Sequence, residues 1–320
     1  MGPDSTDALY RHLVAKGFTT EEIVTAGLAL EREGSNPRDT FRRRILFPIR
    51  DQRGRVLGFG GRAMGDDQPK YLNTPATSIF DKSGVLYLIE VAHTAIRRAD
   101  GAIIVEGYVD ALMAHQHGYR NVVAALGTAL TDRQLNILKR LTKRLTLALD
   151  PDAAGQSATL RGLETARQVF GEAVPAVGPG LVRLEQRLGA DLRVALLPPG
   201  KDPDELIRSD EAAWKQAIEN ARPLVEFYFD VVLGKTDLST AAGTSEAVHQ
   251  LLPIIGELAD AVQRSFYLRR LSQETGVPES VLASELRRGG QRRRPQLARE
   301  SARETERRPS PGASRESLQR

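Results

Sequence analysis

Between residues 101 and 210, short apolar segments alternate with longer segments of helical periodicity, and this alternation constrains the fold more than any other feature. The apolar segments are AIIV at 102–105, NVVAA at 121–125, RLTLAL at 144–149 and LRVALL at 192–197. Segments such as VDALMAHQHG and TDRQLNILKRL separate them. Strands that alternate with helices favour a parallel sheet covered by helices. The pattern therefore predicts an α/β fold here.

Carboxylates follow three of these four predicted strands. Glu106 comes directly after the first, Asp150 and Asp152 follow the third in LDPDAAG, and Asp202 and Asp204 follow the fourth in KDPDEL. Ligands of such sheets bind at the carboxyl ends of the strands, and oxygen ligands alone favour Mg²⁺ or Mn²⁺ over zinc. Asp-Pro-Asp is also ordinary turn and helix-capping chemistry. Three acidic motifs in one α/β unit nevertheless favour a divalent-cation site.

The segments on either side of this unit carry different patterns. Residues 7–35 have helical periodicity, and 41–100 look rich in β-structure, with ILFPI and RVLGF as two strands joined at DQRG. Eight Arg and two Asp lie between 38 and 62, a local excess that favours a patch for phosphates. Residues 171–191 predict a loop with one helical turn, and 211–286 predict helices.

Composition excludes several classes of protein. The chain has no Cys, so disulfides and cysteine zinc sites are excluded. It has no run of 18 apolar residues and no secretory signal, which predicts a cytoplasmic protein with no membrane partner. Residues 287–320 contain 11 Arg, 4 Glu and few apolar residues, and this composition predicts a disordered tail.

These patterns predict four parts: a basic N-terminal α+β subdomain (1–100), a parallel-sheet α/β subdomain (101–210), a helical subdomain (211–286) and the Arg-rich tail (287–320).

Three acidic motifs of the central part, VEGYVDAL, DPDAAG and DPDEL, resemble the TOPRIM fold of primases, topoisomerases and some nucleases. Three further segments narrow the resemblance to the RNA-polymerase domain of bacterial replicative primases of the DnaG type. They are FRRRILFPIRDQRGRVLGFGGR, PKYLNTPATSIFDKSGVLYL and AALGTALT. The resemblance runs from about residue 8 to about residue 235.

The resemblance implies synthesis of RNA primers from NTPs on a single-stranded DNA template by metal-dependent nucleotidyl transfer. It implies catalytic roles for Glu106, Asp150 and Asp152, and Mg²⁺ or Mn²⁺ held by these residues together with Asp202 and Asp204. It also implies template or nucleotide phosphates bound by Arg62, Lys70, Asn73 and Lys82.

The chain also departs from the pattern of the family. Pro151 stands where primases usually have Gly. The absence of Cys implies that no zinc domain lies in this chain, and we expect the domain that binds the replicative helicase to be absent as well. The chain would then be a catalytic core. Two alternatives remain open: a TOPRIM nuclease or topoisomerase, which would cleave DNA without NTPs, and a non-catalytic, metal-stabilised nucleic-acid-binding module.

Overall fold

The computed structural model describes residues 2–34, 36–126, 130–148, 153–178 and 181–292, with side chains described outside 153–159, 173–186 and 289–292. Residues 1–171 and 189–227 form one compact unit, and residues 172–188 with the chain from 228 onward form a second. Two predicted site residues, Asp150 and Asp152, and the predicted tail from 293 onward lie outside the described residues.

The first unit begins with two short helices, two short strands and an antiparallel sheet. These elements are α1 (Ala8–Ala15), α2 (Thr20–Thr25), β1 (Ala29–Leu30), β2 (Arg38–Asp39), β3 (Arg44–Arg50), β4 (Val56–Ala63) and β5 (Tyr71–Asn73). The β3–β4 turn forms because Asp51 Oδ1 accepts hydrogen bonds of 2.9 Å from the backbone N–H groups of Arg53 and Arg55. Gly54 takes a φ of +81°, which a residue without a Cβ adopts easily. The predicted pair of strands joined at DQRG is confirmed.

A helix and the predicted α/β unit follow. In chain order the elements are α3 (Ile89–Ala99), β6 (Ala102–Val105), α4 (Tyr108–Gln116), β7 (Val122–Ala124), α5 (Asp132–Lys139), β8 (Arg144–Leu147), α6 (Ala153–Phe170), β9 (Gly171–Gly178), β10 (Leu181–Leu188), β11 (Asp191–Val194), α7 (Pro203–Ser209), α8 (Glu211–Glu219) and β12 (Arg222–Pro223).

The central sheet has the strand order β12-β11-β8-β6-β7. Strands β11, β8, β6 and β7 are parallel to their neighbours, and β12 adds an antiparallel edge. All four residues of β6 are buried, as expected for an inner strand with helices on both faces. The predicted parallel sheet, and with it the α/β fold class, is confirmed. Because β6, β8 and β11 run in one direction, the residues that follow them lie at one edge of the sheet.

One hydrophobic core joins the central sheet to the N-terminal antiparallel sheet. Phe47 and Ile49 of β3 share this core with Val105, Tyr108 and Trp214. Burying each side chain of this size contributes about 1.5–3 kcal/mol. The shared core therefore fixes β4 and β5 beside the carboxyl ends of the parallel strands.

The second unit contains the β9–β10 hairpin and a set of helices. These helices are α9 (Leu224–Lys235), whose first turn belongs to the first unit, α10 (Ala241–Glu257), α11 (Ala261–Thr275) and α12 (Glu279–Arg292). Leu251, Ile255, Leu271 and Leu282 are fully buried in it. No described helix combines the length and the apolar character that crossing a membrane requires.

Two predictions about the second unit are wrong. Residues 171–191, predicted as a loop, contain two eight-residue strands. The Gly and Pro residues of this segment favoured a loop, but the two strands pair with each other in a two-stranded sheet. The tail was predicted to begin at 287, but α12 continues to Arg292 through Gly289 and Gly290, which are poor helix formers, so helix propensity alone does not explain the extension.

Candidate metal and nucleotide site

The predicted site residues that the structure describes converge on one cavity of about 650 Å³ in the first unit. Its walls include the acidic residues Glu106, Asp202 and Asp204 and the phosphate-binding candidates Arg62, Lys70, Asn73 and Lys82. The acidic residues follow β6 and β11. Of the phosphate-binding candidates, Arg62 lies on β4, Lys70 and Asn73 lie just before and at the end of β5, and Lys82 lies in the turn before α3. Acidic and basic side chains that are distant in sequence therefore face the same space.

The loop after β6 explains why a glycine follows Glu106. Gly107 is the N-cap of α4, and its backbone N–H donates a hydrogen bond of 2.8 Å to Asp110 Oδ2. A Cβ at position 107 would lie 2.9 Å from this oxygen, so a side chain there would push the carboxylate away. The glycine thus allows the first turn of α4 to bring Asp110 to the edge of the sheet.

Asp110 belongs to the acidic cluster, although the sequence reasoning missed it. Its carboxylate and those of Asp202 and Asp204 offer oxygens within 4.8 Å of one another, and the Asp110 residue is 8% exposed. The available signal was its position three residues after the N-cap of a helix that begins where a parallel strand ends. A residue at this position lies in the helix turn nearest the strand end, where it can bind a metal or cap the helix. The sequence alone did not distinguish these two roles.

The electrostatics of the cluster favour a bound cation. Burial, together with a hydrogen bond to Asp202 and the negative charge of Asp202, raises the pKa of Asp204 to about 6. Asp202 is itself fixed as the N-cap of α7, where its Oδ1 accepts a hydrogen bond of 3.0 Å from the backbone N–H of Glu205. Carboxylates this close repel one another when ionised, and a divalent cation removes the repulsion. A donor set made only of carboxylate oxygens fits Mg²⁺ or Mn²⁺.

The opposite wall offers positive charge to an anion. Burial lowers the pKa of the Lys82 ammonium, and Lys82 forms no salt bridge with any residue that the structure describes. Its turn is held by α5, because Thr131 Oγ1 donates to the backbone carbonyl of Ser83 and Gln134 Nε2 donates to that of Val85. A partly buried cation without an acidic neighbour is stabilised by an anion such as a phosphate.

Only some Arg residues of the Arg-rich segment at 38–62 face the cavity. Arg44 is 5% exposed and donates to the backbone carbonyls of Gly61 and Lys70, so it is structural. Arg55 pairs with Asp51 at 2.7 Å in the turn. Arg62 lines the cavity, where its guanidinium lies 5.9 Å from the centre of the Tyr71 ring. Local charge excess in the sequence therefore overestimated the number of Arg residues available to phosphates.

Sequence models of three known protein families match successive parts of the chain. The N-terminal domain of the DNA primase catalytic core matches residues 1–93, the Toprim domain matches 100–174, and the DnaB-helicase binding domain of primase matches 225–280. The resemblance inferred from the acidic and basic motifs is confirmed.

Individual proteins agree with the family models. The chain is 36% identical over 280 residues to a DNA primase of Clostridium acetobutylicum, which covers 87% of this chain and 43% of that protein. A DNA primase domain from Pseudomonas aeruginosa superposes with a TM-score of 0.73 at 34% identity, covering 88% of this chain and 84% of that one. A DnaG primase catalytic domain bound to single-stranded DNA superposes at 0.72 and 33% identity, covering 87% and 83%. The chain spans less than half the length of the curated primases that it matches.

The expectation that the helicase-binding domain is absent is wrong. The matching segment at 225–280 comprises most of α9, all of α10 and α11, and precedes the Arg-rich tail. From its sequence this segment was predicted only as part of a helical subdomain. Helical periodicity reveals which residues pack inside, but it does not reveal which partner contacts the outer face.

Glu106 and Asp110 follow a parallel strand within the Toprim match, and the phosphate-binding candidates of the opposite wall lie within the match to the N-terminal domain of the primase core. Both occur in a chain that superposes on solved primase cores over most of its length. The chain therefore belongs to the bacterial DnaG-type DNA primase family and corresponds to its catalytic core.

Proposed function

We propose that this chain synthesises short RNA primers from NTPs on single-stranded DNA by metal-dependent nucleotidyl transfer. The observation that carries the proposal is one cavity with carboxylates on one wall and cationic side chains on the other, in a member of the primase family. An NTP complexed to a divalent cation needs both kinds of group. The proposal includes a cytoplasmic location, where a bacterial chromosome is copied.

The reaction joins two nucleotides and releases pyrophosphate. The 3′-oxygen of one ribonucleotide forms a bond to the α-phosphorus of an incoming NTP, its proton is lost, and the bond from that phosphorus to the bridging oxygen of the β-phosphate breaks. A bound Mg²⁺ or Mn²⁺ lowers the pKa of the attacking hydroxyl and neutralises charge on the phosphates. Asp110, Asp202 and Asp204 would hold the cation, and Glu106, Asp150 and Asp152 are proposed as further ligands.

The basic wall would orient the nucleotide. Lys82 and Arg62 neutralise the triphosphate, and Lys70, which is exposed at the mouth of the cavity, contacts phosphates of the nucleotide or template. Contacts with phosphates are charge-driven and weakly selective for sequence, so template binding should weaken as the salt concentration rises.

RNA synthesis on single-stranded DNA with labelled NTPs and Mg²⁺ or Mn²⁺ tests the proposal. Short RNA products are expected from the wild-type chain and should vanish in Glu106→Gln and Asp150→Asn. Glu21→Gln is the matched control, because Glu21 is an exposed residue of α2 and does not line the cavity. Metal-dependent DNA cleavage without NTPs would favour the nuclease or topoisomerase alternative. Template binding with neither activity would favour a non-catalytic module.

We also infer that the segment at 225–280 contacts the replicative helicase. The match to a helicase-binding family model supports this partner. On α11 of this segment, Val262 is 77% exposed and Phe266 is 60% exposed. Because the two residues are four positions apart on a helix, they share one face. An exposed pair of large apolar side chains in a helicase-binding segment is the part of the surface that a partner would cover.

A further inference from the structure

Tyr108, the first residue of α4, is packed on three sides at the base of the cavity. It is 3% exposed, although it lines the cavity. Its ring stacks on Phe47 with centroids 5.0 Å apart and an interplanar angle of 10°, and Tyr87 meets it edge-on at 4.8 Å. Tyr71 lies 6.3 Å away at 24°. These contacts hold the ring in one orientation.

A glycine in the neighbouring sheet makes room for this ring. A Cβ at Gly60 of β4 would lie 2.2 Å from Cζ and 2.3 Å from the hydroxyl oxygen of Tyr108. In the sheet register, Gly60 is paired with Asn73 of β5. The ring therefore crosses β4 directly beside Asn73, and its hydroxyl reaches that residue.

The hydroxyl of Tyr108 fixes the side-chain amide of Asn73. It donates a hydrogen bond of 2.5 Å to Asn73 Oδ1. This length lies at the short end of the range for an O–H···O bond and below the range for an N–H···O bond, so the carbonyl oxygen of the amide faces Tyr108. The amide is planar, so its NH₂ group points elsewhere. Asn73 lines the cavity, and its Nδ2 donates to no residue that the structure describes.

We propose that Tyr108 is a positioning residue for nucleotide binding, which holds the Asn73 amide so that its N–H groups face the cavity and donate to the phosphates of the NTP. Phosphate oxygens only accept hydrogen bonds, so the amide binds them in this orientation, and the flipped amide would present Oδ1 and repel them. Fixing the group in advance removes the cost of ordering it on binding. The inference deepens the proposed function and rests on it.

Tyr108→Phe tests the inference, because it keeps the packed ring and removes the hydroxyl. Two quantities are measured: the dissociation constant of Mg²⁺-ATP by calorimetry, and the KM and kcat of RNA synthesis. We expect the dissociation constant and the KM to rise about two- to tenfold, the range for loss of one neutral hydrogen bond, with kcat unchanged. Tyr87→Phe is the matched control. It removes a hydroxyl from the same aromatic cluster, and that hydroxyl makes no hydrogen bond with the described residues.

A double-mutant cycle distinguishes action through Asn73 from a general effect on packing. In an Asn73→Ala background, Tyr108→Phe should cause no further loss of nucleotide affinity. Any one of three results would overturn the inference. The Tyr108→Phe chain could bind nucleotide as tightly as the wild type, or it could lose no more nucleotide affinity than Tyr87→Phe does. In the cycle, the losses of nucleotide affinity from Tyr108→Phe and Asn73→Ala could also simply add. If the wild-type chain binds Mg²⁺-ATP but makes no RNA, the proposed function fails, and the binding data alone decide the role of Tyr108. A wild-type chain that binds no nucleotide overturns both.

Discussion

Replacing Gly60 with Ala should disrupt the contact between the two sheets of the first unit. The new methyl group would lie 2.2 Å from Cζ and 2.6 Å from Cε2 of Tyr108, distances at which atoms overlap. Tyr108 has little room to withdraw, because Phe47 stacks on its ring at 5.0 Å and the ring is 3% exposed. Either β4 or the ring must move, and movement of the ring breaks its hydrogen bond to Asn73.

The expected cost follows from three effects. Overpacking of a core by one methyl group costs about 1–3 kcal/mol, and loss of the hydrogen bond to Asn73 costs about 0.5–1.5 kcal/mol. The lower conformational entropy of the unfolded Ala variant offsets about 0.4–1 kcal/mol. The net loss in the free energy of unfolding is therefore roughly 2 kcal/mol, a sum of these ranges.

Urea unfolding followed by tryptophan fluorescence measures this loss. Trp214 is the single Trp of the chain, is fully buried, and belongs to the same core as Tyr108, so it reports on the relevant unit. Gly65→Ala is the matched control, because a Cβ there meets nothing within 4 Å. A Gly60→Ala chain as stable as Gly65→Ala would refute the packing argument. We also expect Gly60→Ala to weaken nucleotide binding, since it displaces Tyr108.

Three further predictions concern other parts of the molecule. Asp110→Asn should weaken Mn²⁺ binding by about tenfold or more, because one charged ligand is lost. The Asn oxygen can still cap α4, so the fold should be kept. Calorimetry measures the affinity, and an unchanged affinity would exclude Asp110 as a ligand. Burial lowers the pKa of His115 below 6.5, with the neutral ring donating to the Val122 carbonyl at 2.8 Å. Below pH 6.5 the folded chain therefore binds fewer protons than the unfolded chain, and its free energy of unfolding, measured with urea, should decrease as the pH falls. The decrease should be smaller in His115→Gln. Phe266→Ser should weaken binding to the replicative helicase in a pull-down, whereas Glu274→Gln, at an exposed position on a different face of the same helix, should not.

The parallel sheet and the convergence of the predicted site residues could be predicted because they depend on local patterns. The apolar segments alternate with helices, and a parallel arrangement brings the ends of such strands to one edge of the sheet. Glu106 and Asp204, distant in sequence, were therefore expected to meet, and both line the cavity. The roles of these residues remain predictions, as do the places of Asp150 and Asp152.

Other features depend on contacts that the sequence does not reveal. Asp110 has the pattern of a helix cap, and its proximity to Asp202 follows only from the packing of α4 and α7 at the end of the sheet. The glycines of GFGG at 58–61 likewise depend on partners from elsewhere in the chain. Gly60 faces Tyr108, and Gly61 faces Phe41 and Arg44.

The role of the second unit was missed for a different reason. Its amphipathic helices indicate a packed core, and that core is present. The exposed residues of a helix are constrained by its partner, and a single sequence does not contain the partner. Only the similarity of residues 225–280 to a known helicase-binding domain supports the proposed contact with the helicase.

The most direct test of the account is the rate of RNA synthesis by Asp204→Asn and wild-type chains on single-stranded DNA, measured at equal template occupancy with saturating NTPs and Mg²⁺. Asp204 lines the cavity beside the basic wall and shares the acidic cluster with Asp110 and Asp202. The wild-type chain should make short RNA products, and the variant should bind template but make almost none. RNA synthesis at the wild-type rate in Asp204→Asn would contradict the claim that this cavity is where nucleotides are joined.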